Sequence, residues 1–439
     1  MKLLFAAATA ILTFLPAMAE GYQINTLSAK QNGMGHTGTA LKLGAESMFF
    51  NPAGLAFSDK ALDLTGSVTA LKADASCIHD GVTYKTNNGV STPMSFNAAF
   101  RIYDNLQAGV SFYTPYGSGI DWSKTWPGSI LNERVSLKTF VVQPTFAWRI
   151  TPKLAVGAGL TIAWGNVDLD KALVSGTSFD AVIAAMGIPG VPTLGHTAAA
   201  SVNLKGTADV ALGANVGVMY DINDRWTVGA NFRTRMGMKV QAGKATVDYA
   251  NNTVATVLES RLGLLNHSDF AASMPMPWVL SAGVSFKPVD RLILAADAQL
   301  TGWNTYRSLN ISFPSPLEAF DQHIAKNYSN AWCFHFGAQF ALTHRFDIRA
   351  GLMVDTTPVN DNHYNPETPG MTKIEPSVGL SFRPIERLSI DLSMLYVAGL
   401  GANGVKCSYD DLLLQKQMEF KADYRVHAFA PAIGVAYSF

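Results

Sequence analysis

Apolar side chains alternate with small or polar ones along many segments of this chain, with the period of two that is typical of β-strands. Residues 154–164 (LAVGAGLTIAW) are one example, and residues 280–286, 334–342 and 433–439 show the same pattern. Strands with one apolar face and one small or polar face are typical of membrane β-barrels, whose outer face meets lipid. The pattern therefore predicts an all-β chain that forms a transmembrane antiparallel barrel.

The segments between the predicted strands are of two lengths, short and long. Outer-membrane barrels combine short periplasmic turns with long outer loops, and the two kinds alternate here in that way. Six short turns account for about twelve strands, and a first and a last strand bring the prediction to about fourteen. The short turns lie at residues 103–105, 151–153, 221–225, 288–291, 343–345 and 384–387, and the long segments lie near 75–93, 118–132, 169–198, 242–273, 304–330, 356–373 and 400–424.

Two of the long outer segments are apolar, which is unusual on a solvated surface. Residues 179–188 and residues 254–265 could each form a short helix. Such loops either form a landing site for hydrophobic molecules or pack on themselves, and the sequence leaves both open.

Residues 20–57 differ from the strand segments that follow them. They lack the alternation, carry six glycines and end in Asn51-Pro52-Ala53-Gly54. A barrel of about fourteen strands is too wide for wall side chains to fill, unlike one of about eight. We therefore predict a signal peptide at 1–19, an N-terminal hatch at 20–57 that plugs the lumen, and a transmembrane barrel at 58–439.

The first 19 residues and the composition point to the outer membrane. Lys2, an apolar run from Leu3 to Leu15 and the small-x-small site Ala17-Met18-Ala19 form a secretory signal peptide. The chain is 48% hydrophobic and only 15% charged, and it lacks a later run of roughly 18 apolar residues that would predict a spanning helix. An exported, apolar chain of this kind fits the outer membrane of a Gram-negative bacterium. The balance of 33 basic and 33 acidic residues gives no indication of nucleic-acid binding.

The chain shows no motif for enzyme chemistry. Its nine histidines form no cluster with metal-ligand spacing, and it has no Gly-x-Ser-x-Gly element. We therefore predict no catalytic residue, no metal and no cofactor. Charged residues of mixed sign at predicted inward positions indicate either a network that holds the hatch or a site for a substrate headgroup; they are Arg233, Arg235, Asp297, Asp347, Arg349 and Asp391.

The third predicted strand carries a proline. It runs from Leu106 to Tyr113 and continues as Thr114-Pro115-Tyr116-Gly117. Pro115 removes a ladder donor, and proline inside a sheet belongs at edges or bulges. It either ends the strand or forms a kink, made of Tyr113, Thr114, Pro115 and Gly117, that opens the wall toward the lipid. A nonpolar substrate would gain from such an exit because it never enters water.

These features resemble the FadL/TodX family of outer-membrane transporters for long-chain fatty acids and other hydrophobic compounds. The resemblance implies a 14-stranded barrel with an N-terminal hatch, capture of a lipid at the outer loops, movement of the hatch and lateral release through strand 3. The similar stretches are Gly21-Tyr22-Gln23-Ile24-Asn25, Gly33 and Gly35, Asn51-Pro52-Ala53, Tyr116-Gly117, Thr301-Gly302-Trp303 and Asp355 to Val359.

The resemblance also implies roles for single residues. Tyr22 and Ile24 would touch the ligand tail, and the hatch motif Asn51, Pro52 and Ala53 would lie against the strand 3 kink. The family's basic headgroup contacts do not carry over, since Asn166 and Ser329 stand at the comparable places with Lys326 nearby. The predicted ligand-binding set is Tyr22, Ile24, Asn166, Arg233, Lys326 and Arg349.

The three cysteines are Cys77, Cys333 and Cys407. Taken alone they fit unpaired thiols slightly better than a disulfide, although an exported protein can hold one. The resemblance favours a disulfide instead. It implies a closed barrel in which the first and last strands are neighbours, so that their outer loops could touch. We therefore expect a disulfide between Cys77 and Cys407.

We predict a monomeric, passive transporter of hydrophobic compounds, long-chain fatty acids foremost. Its partners would be the hydrophobic small molecule or fatty acid and the surrounding outer-membrane lipid and lipopolysaccharide. The alternatives are an importer of uncharged or aromatic hydrocarbons by the same route and a general water-filled porin. An outer-membrane enzyme and a surface adhesin are weaker hypotheses.

Overall fold

The structure is a computed structural model that describes residues 21–262 and 267–439. The predicted signal peptide, residues 1–19, lies outside the described residues. The described chain forms one sheet of 22 antiparallel strands. The sheet closes on itself, because strand Leu62–Thr69 pairs with Lys416–Ser438 on one side and with Met94–Tyr103 on the other. A closed sheet satisfies its backbone groups without water, as a lipid bilayer requires. The predicted β-barrel is confirmed.

The elements follow one another with short and long connections in alternation. The strands are Leu62–Thr69 (β1), Lys72–His79 (β2), Val82–Lys85 (β3), Met94–Tyr103 (β4), Leu106–Tyr113 (β5), Gly117–Asp121 (β6), Arg134–Arg149 (β7), Leu154–Val174 (β8), Ala200–Asp221 (β9), Trp226–Arg233 (β10), Met236–Tyr249 (β11), His267–Met276 (β12), Val279–Val289 (β13), Leu292–Thr301 (β14), Ser308–Ser312 (β15), Gln322–Ala325 (β16), Ala331–Ala341 (β17), Phe346–Asp355 (β18), Lys373–Ile385 (β19), Leu388–Gly399 (β20), Ala402–Asp411 (β21) and Lys416–Ser438 (β22). The α-helices are Ala29–Asn32 (α1), Ser47–Phe50 (α2), Gly176–Met186 (α3) and Asn252–Leu262 (α4), and the 3-10 helices are Gly44–Glu46, Pro52–Phe57, Trp303–Thr305 and Glu318–Phe320.

Fourteen of these strands form the wall, as predicted, and the others extend or cover it on the outer side. Each of the six predicted short turns joins two neighbouring wall strands. In chain order, wall strands 1 to 14 are β1, β4, β5, β7, β8, β9, β10, β13, β14, β17, β18, β19, β20 and β22.

The alternation in the sequence separates the two faces of the wall. In wall strand 5, Leu160 is 48% exposed on the outer face, whereas Thr161 and Ala163 are buried in the lumen. Farther along the outer face, Phe140 stacks on Trp164 with ring centroids 5.9 Å apart. Aromatic side chains of this kind mark the membrane interface in barrels. Among the described helices, none has the length and apolar character needed to cross a bilayer.

Residues 21–57 lie inside the barrel, so the structure contains the predicted hatch. Helix α1 packs on wall strands 12 to 14, and the 3-10 helix Pro52–Phe57 packs on wall strands 4 to 6. The hatch and the wall approach each other so closely that both carry glycine at the point of contact. A Cβ at Gly351 of the wall would overlap the backbone nitrogen of Gly35, and Gly35 itself has φ 63°, which favours glycine.

The two predicted loop helices are present as α3 and α4. Phe179 and Ile183 of α3 are buried, as are Val254 and Leu258 of α4. The apolar faces of both helices therefore pack against the rest of the outer loops, which is the self-packed alternative that the sequence left open.

The expected disulfide between Cys77 and Cys407 is wrong for this structure. Both are buried free thiols. β22 lies between the two, with Cys77 opposite Tyr424 on one side and Cys407 opposite Phe420 on the other. Because a strand advances ~3.3 Å per residue, this offset separates the cysteines by more than the roughly 7 Å that a disulfide allows between Cα atoms.

Candidate functional site

Wall strand 3 is interrupted near its middle, at Thr114 to Tyr116. β5 ends at Tyr113 and β6 begins at Gly117. Toward wall strand 4 the pairing resumes with one extra residue in strand 3, since Tyr113 lies opposite Val141 and Gly117 lies opposite Lys138. Such a bulge bends the strand and leaves backbone groups free of the ladder. We call residues 114–116 the strand 3 break.

The N-terminal end of the hatch takes the place of wall strand 2 at this break. Ile24 donates its N–H to the carbonyl of Pro115, and Gly117 donates its N–H to the carbonyl of Tyr22, both at 2.9 Å. The residues between these partners lie directly opposite each other. We call residues 22–24 the hatch end. The strand 3 break is thus closed by a short antiparallel pairing with a segment that is not part of the wall.

An apolar cavity lies against the hatch end and the outer parts of wall strands 4 to 8. Its volume is about 90 Å³, so it is narrow. A narrow, apolar space of this kind fits a chain-like or flat hydrophobic molecule better than water. Its apolar lining consists of Val135, Leu137, Val167, Leu169, Ala208, Met238, Val240, Ala272, Met274, Met276 and Leu309.

Tyr22 of the hatch end lines this cavity and is held by aromatic neighbours. Its ring centroid lies 4.7 Å from that of Trp303 and 6.0 Å from those of Tyr306 and Tyr116. Its hydroxyl donates to the carbonyl of Pro275. Burial raises the pKa of Tyr22 and of Tyr306 well above the usual value for a phenol. Both side chains therefore stay neutral, and the cavity is uncharged where it meets the hatch.

The cavity has one charged border. Glu367 lines it and forms an ion pair with the fully buried Lys326, whose ammonium nitrogen lies 5.9 Å from the ring centroid of Tyr306. Lys171 interacts electrostatically with both members of this pair and donates to the side-chain oxygen of Gln322 at 2.9 Å. Two ammonium groups and one carboxylate leave one net positive charge beside the cavity, which favours an anionic ligand group there.

The structure brings four of the six predicted ligand residues to this region. Tyr22 and Asn166 line the cavity, Ile24 is in the hatch end, and Lys326 belongs to the charged border. Asn166 has the weakest case for a ligand contact among the four. Its side-chain oxygen accepts a hydrogen bond from the exposed Thr207 at 3.0 Å.

The two predicted arginines lie elsewhere in the lumen. The guanidinium of Arg233 lies 4.4 Å from the ring centroid of Phe49 in the hatch. Arg349 donates to the hydroxyl of Ser381 at 2.6 Å and to the side-chain oxygen of Gln339 at 2.7 Å. Neither arginine lines the apolar cavity. Their contacts fit a network inside the lumen, the first of the two possibilities that the sequence offered for the inward charges.

The hatch motif does not lie against the strand 3 kink, so that expectation is wrong. Pro52 and Ala53 pack against Gly157 of wall strand 5, and Asn51 donates its amide to the carbonyl of Val218 in wall strand 6 at 3.0 Å. The side chain of Asn51 also accepts the N–H of Ala53 at 3.1 Å, which starts a 3-10 helix directed along these two strands.

Sequence reasoning missed part of the site. Glu367 and Lys171 lie in predicted long outer segments, where no spacing singles them out. Pro275 and Pro277 did offer a signal, because two prolines inside one strand segment interrupt a ladder as Pro115 does. Pro275 lies between the cavity-lining Met274 and Met276 of β12, and Pro277 follows Met276.

Comparison with known proteins agrees with this geometry. Residues 10–439 match the family described as "Outer membrane protein transport protein (OMPP1/FadL/TodX)". The chain belongs to this family. As a family member with a closed barrel, it is a transporter of hydrophobic compounds in the outer membrane of a Gram-negative bacterium.

Two relatives and two solved structures illustrate the family's range. Outer membrane protein P1 of Haemophilus influenzae is 21% identical over 455 residues, covering 96% of each chain. The long-chain fatty acid transport protein of Escherichia coli is 21% identical over 399 residues, covering 87% of this chain and 88% of that one. The structure of a Pseudomonas aeruginosa FadL homologue gives a TM-score of 0.80 at 18% identity, covering 95% of this chain and 100% of that one. The Pseudomonas putida toluene transporter TodX gives 0.71 at 16% identity, covering 94% and 99%. The shared fold is thereby established.

Proposed function

We propose that this FadL/TodX-family protein carries long-chain fatty acids across the outer membrane by passive transport. The ligand is captured at the outer loops and its tail enters the apolar cavity. Movement of the hatch end then opens the strand 3 break, and the ligand leaves sideways into the membrane. The hatch end carries this proposal, because it lines the cavity through Tyr22 and closes the break through its backbone. A single movement therefore frees the ligand and opens its exit.

Energetics favour a lateral exit over passage through water. Each methylene transferred from an apolar site to water costs about 0.8 kcal/mol. A fatty acid tail of roughly fifteen methylenes would therefore lose on the order of 12 kcal/mol if it crossed an aqueous lumen. The lumen is in addition filled by the hatch, which argues against a general porin.

The charged border supports a carboxylate as the ligand's polar end. Lys326 and Lys171 outnumber Glu367, and a carboxylate near two ammonium groups gains charge-assisted hydrogen bonds. The tail would then extend along the methionine and leucine side chains toward Tyr22. The E. coli relative named as a long-chain fatty acid transport protein supports the same substrate class.

The substitution Glu367→Gln is expected to strengthen the binding of a long-chain fatty acid by roughly fivefold, since it removes the one negative charge of the border. Binding of the alcohol with the same chain should stay the same, because it has no charge to respond. Fluorescence displacement with the purified protein measures both affinities. Equal responses of acid and alcohol would contradict a carboxylate site at this place.

The substitution Pro115→Val restores a backbone donor in the strand 3 break and is expected to slow fatty acid uptake by roughly fivefold, with normal assembly. Pro376→Val is the matched control, because Pro376 lies in wall strand 12, paired opposite Leu352, away from the break. Uptake of labelled fatty acid by intact cells tests the pair. Uptake that is the same in both variants and in the parent would count against the lateral exit.

An uncharged hydrocarbon is the second candidate substrate. A ligand without a charge would leave the ion pair of Glu367 with Lys326 undisturbed, and most of the cavity lining is apolar. Two structural relatives are toluene transporters, TodX of Pseudomonas putida and TbuX of Ralstonia pickettii. The comparison of acid with alcohol separates this candidate from the first.

A further inference from the structure

Wall strands 8 and 9 also separate, on the outer side of the barrel. Their regular pairing stops at Val279 opposite Thr301, and their outward extensions meet again only at Ser273 opposite Asn310. A ladder that is interrupted in this way leaves the wall to be closed by side chains. The stretches that do not pair with each other, which we call the strand 8–9 break, are residues 274–277 and 303–309.

Two prolines lie on the strand 8 side of this break. Pro275 and Pro277 have no N–H and so cannot donate to a ladder. Their carbonyls are bound from inside the barrel instead. The hydroxyl of Tyr22 donates to Pro275, and the hydroxyl of Tyr116 donates to Pro277 at 3.5 Å. Tyr22 belongs to the hatch end and Tyr116 to the strand 3 break, so these two hydroxyls connect the two breaks across the lumen.

The apolar cavity reaches the strand 8–9 break. Met274 and Met276 line the cavity from the strand 8 side, and Tyr306 and Leu309 line it from the strand 9 side. Both edges of the break are therefore part of the cavity wall. A hydrophobic molecule in the cavity is separated from the outside here by side chains and not by a hydrogen-bonded sheet.

Trp278 covers the break on its membrane side. Its ring centroid lies 6.4 Å from that of Phe232, whose side chain is 38% exposed on the outer face of the neighbouring wall strand 7. The Trp278 indole also lies directly on Gly302, where a Cβ would overlap the ring, and Gly302 donates its N–H to the Trp278 carbonyl at 2.8 Å. Trp278 immediately precedes β13, and tryptophan side chains at strand ends mark the membrane interface in barrels. The indole can swing away without breaking any ladder bond.

We propose that the strand 8–9 break is a second lateral portal, through which hydrophobic molecules dissolved in the outer leaflet exchange with the cavity, and that the Trp278 indole is its cover. The proposal rests on the proposed function, because the same class of ligand enters the same cavity. It adds a route by which the membrane itself, and not only the outer loops, supplies the ligand. Because Tyr22 binds Pro275, movement of the hatch end also loosens this portal.

The test measures access to the cavity from the lipid. Met276→Cys places a thiol at the break in protein held in vesicles of phosphatidylethanolamine and phosphatidylglycerol, and the parent without this change corrects for the buried native thiols. Adding Trp278→Ala should raise the rate of labelling by a dodecyl maleimide about tenfold, with no change for a charged, water-soluble maleimide. Gly302→Ala, which displaces the indole without removing it, should act in the same direction. Trp332→Ala is the control, because Trp332 lies at the outer end of wall strand 10 in an intact ladder opposite Leu300.

Equal labelling by the lipid-soluble reagent with and without Trp278 would overturn the portal. A rise with both reagents would overturn it as well, since it would mean that the whole barrel has loosened. Fatty acid uptake by the same variants reports on the proposed function separately. Unchanged labelling with normal uptake rejects only the portal, whereas the predicted labelling without any fatty acid uptake rejects only that substrate.

Discussion

A disulfide across the strand 3 break is expected to stop transport, and a reductant is expected to restore it. The double substitution Gln23→Cys with Tyr116→Cys joins the hatch end to the wall at two residues that lie directly opposite each other. The flanking hydrogen bonds make this a non-hydrogen-bonded pair, for which Cα atoms lie about 4.5 Å apart, within the roughly 4.4–6.8 Å of a disulfide. The covalent S–S bond holds the hatch end in place until it is reduced, so uptake of labelled fatty acid should fall by roughly a hundredfold in the oxidised protein.

The two single substitutions are the controls for this experiment. Tyr116→Cys alone also loses the hydroxyl that reaches Pro277, so it measures that contribution by itself. Gln23→Cys alone tests for pairing with the native cysteines, which are buried. Normal uptake by the fully oxidised double variant would show that the ligand does not need the hatch end to move, and the proposed release step would have to be abandoned.

Removal of hatch residues 20–50 is expected to turn the barrel into a steady ion channel. Barrels of about eight strands are filled by their own side chains, whereas those of about 16 to 18 strands enclose water. With fourteen wall strands and glycine or alanine at many inward positions, this barrel should pass ions once the hatch is gone. Conductance in planar bilayers should rise by roughly tenfold or more over the parent. An unchanged conductance would show that the wall or the outer loops close the lumen without the hatch.

A single substitution in the wall provides a matched test of the same point. Gly351→Val places side-chain atoms where the backbone of Gly35 lies, so the hatch cannot seat and conductance should rise. Gly237→Val, in β11, meets no atom within 4 Å and should leave conductance as it is. A heat-modifiable band on a gel shows for both variants that the barrel itself has folded.

Much of the fold could be predicted because a membrane barrel requires a sequence pattern that is visible within each strand segment. Lipid on one side and a lumen on the other force the period of two that is visible in residues 154–164. The alternation of short and long connections then gives the strand number. The hatch was predictable as the glycine-rich exception to this pattern, and the strand 3 break from the missing N–H of Pro115.

The errors concern relations between distant segments. The separation of Cys77 from Cys407 follows from their register on either side of β22, which no local pattern records. The position of Asn51 depends on the path of the hatch through the lumen, and this path is set by where wall glycines such as Gly217 leave room. Residue type likewise could not assign the lumen arginines, because a buried guanidinium serves a ligand or a structural network equally well, depending on the partners that the fold supplies.

Closure of the sheet through β1 and β22 has a consequence for biogenesis. The two strands pair from Asp63 opposite Ser438 to Thr69 opposite Ala432, and the hatch is joined directly to β1. Helix α1 also packs on β22. We therefore expect β1 and β22 to pair after the N-terminal segment has entered the lumen. A hatch that docked later would have to enter the closed barrel through its periplasmic opening. We therefore expect hatch docking and barrel insertion to be coupled, so that a mutation that delays hatch docking slows barrel assembly.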